Sequence, residues 1–449
     1  MTNTNDLWHK YAQQILQVAS PDFDPSKQQF SVASSTLAID LGNADPAIAN
    51  AYIYQMGNTI PAASPAYAPG SSLLGSYRLF LDSIDLGGDA NPNLDPQINQ
   101  AAAALTAAQN NFLTVQATAV SAWKTYQAIN PNIGFNDYVT SQYPTYIQAR
   151  NALSGAESAY AGLMTQKYGT GYEVIAQARD AVGANGGAAD IAMQNGYNMA
   201  IKTGSVAPAG AVGTLPGQTP APAASTLVQT FAPAFSLNGF ASVYKGWQAA
   251  SASGAAPAAS IKVDGSAAAS SWSDMGWTLD AAGGVSYGFF DMWAENSTSS
   301  DTQTAFAMQD EFSLQVDFVG LNVFTLTPGQ WFDLGLLNTY KNKLLPNSAP
   351  FFTAQGALGR IPVQAVIGFN PTITLSMSHQ DYSSFQSSFQ SETTAGASFG
   401  PFVIGDVHST AYNDKASVAF DSSSGTIKIA PPPSTVPTLL GMISTRLDV

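Results

Sequence analysis

The sequence predicts an α+β protein: an N-terminal helical half with a long antiparallel helical hairpin, then a C-terminal antiparallel β-sandwich. Three observations carry this expectation. Apolar residues recur every seven positions between residues 95 and 130. Apolar and polar residues alternate in several runs beyond residue 226. Between these zones, residues 204–225 read SVAPAGAVGTLPGQTPAPAAST, a Pro/Gly/Ala stretch without periodicity. Helices first and strands afterwards describe α+β or two packed domains rather than an alternating α/β chain. The expected division is a helical domain over 1–203, a linker or loop over 204–225 and an antiparallel β domain over 226–449.

The first element is a short amphipathic helix. Trp8, Tyr11, Ile15 and Val18 recur at helical spacing, and Asn5 or Asp6 is a suitable cap. This N-terminus has no basic region followed by an apolar core, so it does not read as a secretory signal. No stretch approaches the roughly 18 consecutive apolar residues of a membrane-spanning helix. The chain is expected to be made soluble, and to be either cytoplasmic or released by a non-classical route.

Asp95-Pro96 is a strong helix start: Asp caps, and proline at the first helical position loses no needed donor. Ile98, Leu105, Phe112, Ala119 and Tyr126 then repeat every seven residues. Ala101, Ala108, Val115, Ala122 and Ile129 fill the position three later, which makes a seam with small residues on one side. Asn130-Pro131-Asn132 ends the run. A second helical stretch covers about 145–183, with Tyr146, Leu153 and Tyr160 on one seam and Ala149, Ala156 and Leu163 on the other. Gly169 and Gly171 are expected to break it. The short connection predicts an antiparallel pair. Between Pro96 and Asn130 the only charge is Lys124, which suits a helix lying in a bundle or against a partner.

In the second half, Phe312, Leu314, Val316 and Phe318 alternate with Ser313, Gln315 and Asp317. Ile373, Leu375 and Met377 alternate in the same way, as do Val418 with Phe420 and Ile427 with Ile429. An apolar face opposite a polar one describes antiparallel strands with one side wet. Pro431, Pro432 and Pro433 stop pairing before an extended tail.

Candidate chemistry is sparse. The chain has no cysteine, which excludes disulfides, thiolate metal sites and thiol nucleophiles. Asp89, Asn91, Asn93 and Asp95 place oxygens at alternate positions, as a calcium loop begins. Leu94 stands where that loop needs glycine and Gln100 where it needs glutamate, so an Asx-rich turn is the better reading. His379 and Asp381 are two apart, as are Asp406 and His408. On neighbouring strands these four would point to one face and present two imidazoles and two carboxylates to a divalent metal. There is no P-loop, no dinucleotide glycine motif and no H-E-x-x-H zinc motif. No catalytic residues and no cofactor are expected.

Composition orders the functional classes. Sixteen Lys plus Arg stand against 30 Asp plus Glu, for a formal charge of −14. Such a surface argues against nucleic acid, whose phosphates require cations. Only 10% of the residues are charged while 45% are hydrophobic, so polarity comes from Ser, Thr, Asn and Gln. Residues 382–412 are Ser/Thr-rich with only Glu392 and Asp406 charged, the composition of a hairpin able to meet lipid on one face. Phe385, Phe389, Phe399 and Phe402 would lie near its interfaces. Trp272, Trp277, Tyr287 and Trp293 form an aromatic group suited, if exposed, to membrane interfaces or sugar stacking. The leading expectation is a non-enzymatic, soluble protein that assembles at membranes in the manner of a pore-forming toxin. The alternatives are a self-assembling surface-layer or filament subunit and a carbohydrate-binding protein. The expected partners are further copies of the chain, a lipid membrane or a glycan.

Overall fold

A computed structural model describes residues 4–86, 94–127, 135–169, 171–183, 196–203, 228–264, 271–277, 290–293, 313–346, 348–379, 382–383, 396–399, 402–404, 417–430 and 436–447. The fold is α+β, with antiparallel sheets. The N-terminal half contributes α1 (Thr4–Ala19), β1 (Gln28–Ala38), α2 (Pro46–Asn58), β2 (Thr59–Pro61), β3 (Pro69–Ser72) and α3 (Leu73–Asp82). It continues with α4 (Asp95–Gln127), α5 (Phe135–Gln142), α6 (Pro144–Tyr168), α7 (Gly171–Gly183) and β4 (Asn198–Thr203). Then follow β5 (Val228–Pro233), β6 (Phe235–Leu237), α8 (Phe240–Ala252), β7 (Ala259–Asp264), β8 (Phe290–Trp293), β9 (Ser313–Pro328) and α9 (Leu334–Tyr340). The C-terminal part is β10 (Arg360–Ser376), β11 (Gly396–Phe399), β12 (Phe402–Ile404), β13 (Ser417–Asp421), β14 (Thr426–Ala430) and β15 (Thr438–Arg446). The 204–225 stretch lies outside the described residues.

One large sheet organises the molecule, with two long strands, β9 and β10, at its centre. They pair from Gln364↔Thr325 to Ser376↔Ser313. The N-terminal part of β10 pairs β15, its C-terminal part pairs β14, and β14 pairs β13. The far edge of β9 pairs β7 at one end and β6 at the other. Strand β1 pairs β15, so the sheet joins strands from both sides of residues 204–225.

Two apolar cores flank this sheet. The first receives Trp8, Tyr11 and Ile15 of α1, Phe30 and Val32 of β1, and Leu314, Val316 and Phe318 of β9. The second receives α3, α7, α8 and α9 through Tyr77, Phe80, Ile175, Trp247 and Leu337. The two central strands serve both cores with residues of the same pleat parity. Ala365, Ile367 and Phe369 lie in the second core, whereas Ile373 and Leu375 lie in the first. On β9, Leu314, Val316 and Phe318 lie in the first core, and Phe324 and Leu326 in the second. The change occurs at Asn370, whose φ of 44° is left-handed, near Gly320, which leaves no room for a Cβ beside the Trp247 ring. Asn tolerates that backbone region better than most residues, and its Nδ2 donates to Ser251 Oγ at 2.7 Å.

This arrangement corrects the expectation of one wet side. At the alternating runs the polar face is less buried than the apolar one: Lys428 is exposed between buried Ile427 and Ile429, and Gln315 and Asp317 are half-buried between buried Leu314, Val316 and Phe318. That difference does not hold along residues 365–369, which are buried on both faces. A smaller sheet, β12-β11-β8, touches the large one through Phe402, whose ring centroid is 6.2 Å from that of Phe318.

Candidate interaction arm

The most distinctive surface belongs to α4, α5 and α6. Asp95 opens α4 and forms an ion pair with Lys167 in the last turn of α6. Seventeen residues along α4, the Phe112 ring lies 5.4 Å from Tyr146, at the start of α6. The two helices therefore run side by side in opposite directions. At the far end Tyr126 and Tyr138 are 5.3 Å apart. Ala119, Tyr138, Val139 and Tyr146 form a small core that is separate from the two flanking the sheet.

The inward and outward faces differ sharply. Ile98, Leu105, Phe112, Ala119 and Tyr126 are buried or half-buried, and so are Ala101, Ala108, Val115 and Ala122. On α6 the same is true of Tyr146, Ala149, Leu153, Ala156, Tyr160 and Leu163. The outward face of α4 exposes Asn99, Ala103, Thr106, Ala107, Asn110 and Thr114. That of α6 exposes Ala152, Gly155, Ala159 and Gly162, and a Cβ added to either glycine would meet only open space. Several exposed hydroxyls turn back onto their own helix. Thr106 and Thr114 donate to carbonyls four residues earlier at 2.9 Å, Thr118 does so at 3.0 Å and Ser158 at 2.9 Å. Such bonds occupy the hydroxyl proton and leave the surface small and weakly polar.

Electrostatics at the arm's base favour closure. Lys167 is held protonated above the usual lysine range, chiefly by its hydrogen bond to Asp95. Its Nζ also lies 5.1 Å from the Tyr168 ring centroid. The chain enters the arm from α3 through residues 83–94 and leaves it through α7. That helix is anchored by Ile175 and Val182 in the second core, and Arg179 donates to Leu81 O at 2.7 Å.

Most of the residues singled out for chemistry lie outside the described residues. His379 is exposed, and Asp381, Asp406 and His408 lie outside the described residues. Among the described residues no three His, Asp or Glu side chains are grouped as metal ligands. Residues 89–93, which begin the candidate calcium loop, also lie outside them.

Trp272, Trp277 and Phe402 are buried, which corrects any surface role for these three rings. A short helical turn, Trp272–Met275, is capped at both ends by Ser271 and the left-handed Gly276, and it turns both tryptophans inward. Trp277 Nε1 donates to Phe30 O at 2.7 Å, and the Trp272 ring meets His9 edge-on at 4.2 Å. Phe402 rests on Tyr11 and Phe318. Trp293 pairs with Gly396 and Phe399 with Phe290 in the small sheet. Tyr287, Phe385 and Phe389 lie outside the described residues.

Two further features run against what the sequence was expected to hold, the first being a G-x-S-x-G pattern where none was expected. Gly396-Ala397-Ser398-Phe399-Gly400 carries the letters of a serine-nucleophile turn. Ser398 instead sits within β11, paired with Asp291 and Val403, whereas that chemistry requires a sharp strand-to-helix turn. Leu79 and Leu345 are large, apolar and exposed. Both backbones are tied to Ser83: Leu345 N donates to Ser83 O, and Ser83 Oγ donates to Leu79 O. Their spacing in sequence contains no sign of this.

No helix among the described residues is long and apolar enough to cross a membrane. No family of known proteins matches the chain, and neither a curated protein nor a solved structure is significantly similar to it.

Proposed function

We propose that the protein acts without bond-making chemistry, by self-association in water through the α4–α6 arm. We read α4–α6 as the long helical hairpin of that assembly, and the small sheet on Phe402 as the start of a second, sandwich-like layer. The observation that carries the reading is the pairing of an apolar seam spent within the arm with long outer faces of Ala, Gly, Thr and Asn. Small side chains let two helices approach closely, and uncharged faces put little repulsion in the way of a second copy.

Insertion of the same arm into a bilayer is the second reading. The back-bonded hydroxyls favour it, since a satisfied hydroxyl is cheaper in a low dielectric. Asn99, Gln100, Asn110 and Asn111 count against it, because exposed amides are expensive in hydrocarbon.

The solution mass, measured over a concentration series with and without lipid vesicles, separates the two. Growth in mass without lipid, lost in Ala107→Arg and Ala159→Arg, supports self-association. Growth only with vesicles, accompanied by dye release, transfers the function to the membrane. A monomer under every condition removes both.

A further inference from the structure

We propose that the α4–α6 arm is a rigid lever that rotates as one unit about Gly169, with Tyr172 as the stop that holds it in the position observed. This goes beyond the assembly reading and does not depend on it. Three observations carry it.

First, the arm is mechanically its own body. Its core of Ala119, Tyr138, Val139 and Tyr146 does not merge with either core beside the sheet. The Asp95–Lys167 ion pair ties the first turn of α4 to the last turn of α6 at the base. The two helices are thereby joined at that end and packed along their seam, so displacing one carries the other.

Second, of the two chain connections at the arm's base, the one into α7 is a glycine in a conformation other residues avoid. Gly169 ends α6 with φ 74° and ψ −167°, a combination essentially confined to glycine. An added Cβ there would touch nothing within 4 Å, so backbone geometry and not crowding requires the glycine. Element-terminal residues that absorb a change in φ and ψ are where hinges form.

Third, the segment beyond the joint is anchored. Ile175 and Val182 are fully buried in the body's core, and Arg179 reaches the Leu81 carbonyl and Asp82. Tyr172, the second residue of α7, is 2% exposed but belongs to none of the three cores. Burial raises the pKa of its phenol, and Arg179 of the body and Tyr160 of the arm both act on it electrostatically. Tyr172 N also donates to Gly169 O at 3.1 Å, so this buried residue stands directly beside the joint, where it would limit rotation.

The absence of cysteine makes the test direct. Paired spin labels are placed at Thr118→Cys on the arm and Asn338→Cys on the body, and separately at Thr118→Cys and Ser158→Cys within the arm. All three positions are exposed. A label on Thr118 lies about 35 Å from the base, so each 10° of rotation moves it by about 6 Å. Each pair is measured in the otherwise unaltered chain, in Gly169→Ala and in Tyr172→Ala. The lever predicts that Gly169→Ala shifts the arm-to-body distance and that Tyr172→Ala broadens it, while the distance within the arm stays the same in all three. Arm-to-body distances that are unchanged in both variants overturn the hinge. A change within the arm overturns the rigid lever, since the helices would then be separating instead.

Discussion

Gly276 shows how much one residue can decide. Its φ is 80°, and a Cβ there would lie 1.9 Å from the Gln28 carbonyl oxygen. Ser271 and Gly276 close the turn that sends Trp272 and Trp277 into the core, so the glycine permits both the turn and the close approach of β1. Gly276→Ala is expected to cost about 2–5 kcal/mol, the sum of a left-handed penalty of about 1–2 and an overpacking penalty of about 1–3. Urea denaturation reads this as a lowered midpoint at unchanged slope. Asn370 is the second such residue. Asn370→Val places a β-branched side chain at positive φ and loses the bond to Ser251, for about 2–3 kcal/mol together. Asn370→Gly loses only the bond and is expected to stay within about 1 kcal/mol of the parent. Equal losses in the two variants would mean that the backbone region at 370 is not what matters. Neither position could be recognised in the sequence, because a left-handed residue has no spacing of its own, whether it ends a short helical turn as Gly276 does or interrupts a strand as Asn370 does.

At the scale of elements, periodicity could be read wherever one face is dry and the other wet. The α4 and α6 seams meet that condition over many turns, and so do Leu314 to Phe318 and Ile373 to Met377. Residues 365–369 are buried on both faces, so their apolar run carries no alternation to read. On α1, Trp8, Tyr11 and Ile15 are buried as their spacing requires, but Val18 is 41% exposed because the buried stripe passes through Leu16 instead. The aromatic group at 272–293 was ambiguous for a different reason: composition does not distinguish rings on a surface from rings beneath it. The separate core of the arm makes a prediction at this scale. Phe112→Ala is expected to destabilise the arm by about 2 kcal/mol, roughly half the cost of emptying a fully buried Phe site, since Phe112 is only half-buried. Hydrogen exchange would then quicken across 95–168 and stay slow in β9 and β10. Equal quickening in the sheet would show that arm and body unfold together.

At the scale of the whole molecule, burial governs the response to alkali. Burial pushes the Tyr67 and Tyr77 phenols up to about 12 and that of Tyr11 well above its ordinary value. The unfolded chain loses these protons near pH 10, so between roughly 10 and 12 the native state holds more protons than the unfolded one. Stability is therefore expected to be indifferent to these groups below about pH 10 and to fall as pH rises beyond it. Phenolate absorbance from Tyr67 and Tyr77 should be absent from the native protein near pH 10 and appear only towards pH 12 or on unfolding, whichever comes first. The same cores decide whether the chain divides at residues 204–225. Strand β1 covers the outer edge of β15, and Ile39 N donates to Pro437 O beside it. Trp8 and Tyr11 are fully buried in the core that β9, β10 and β14 also line. At roughly 150–250 Å² per ring and roughly 25 cal/mol per Å², those two residues alone contribute about 8–12 kcal/mol before entropy. Whole domains are stable by only about 5–15 kcal/mol. A fragment of residues 226–449 should consequently fail to fold alone, binding hydrophobic dye and lacking a cooperative melt, and should recover both on co-expression with residues 1–203. A cooperative melt from the isolated fragment would mean that the sheet closes without its N-terminal strand and helix, and that the chain is two domains after all.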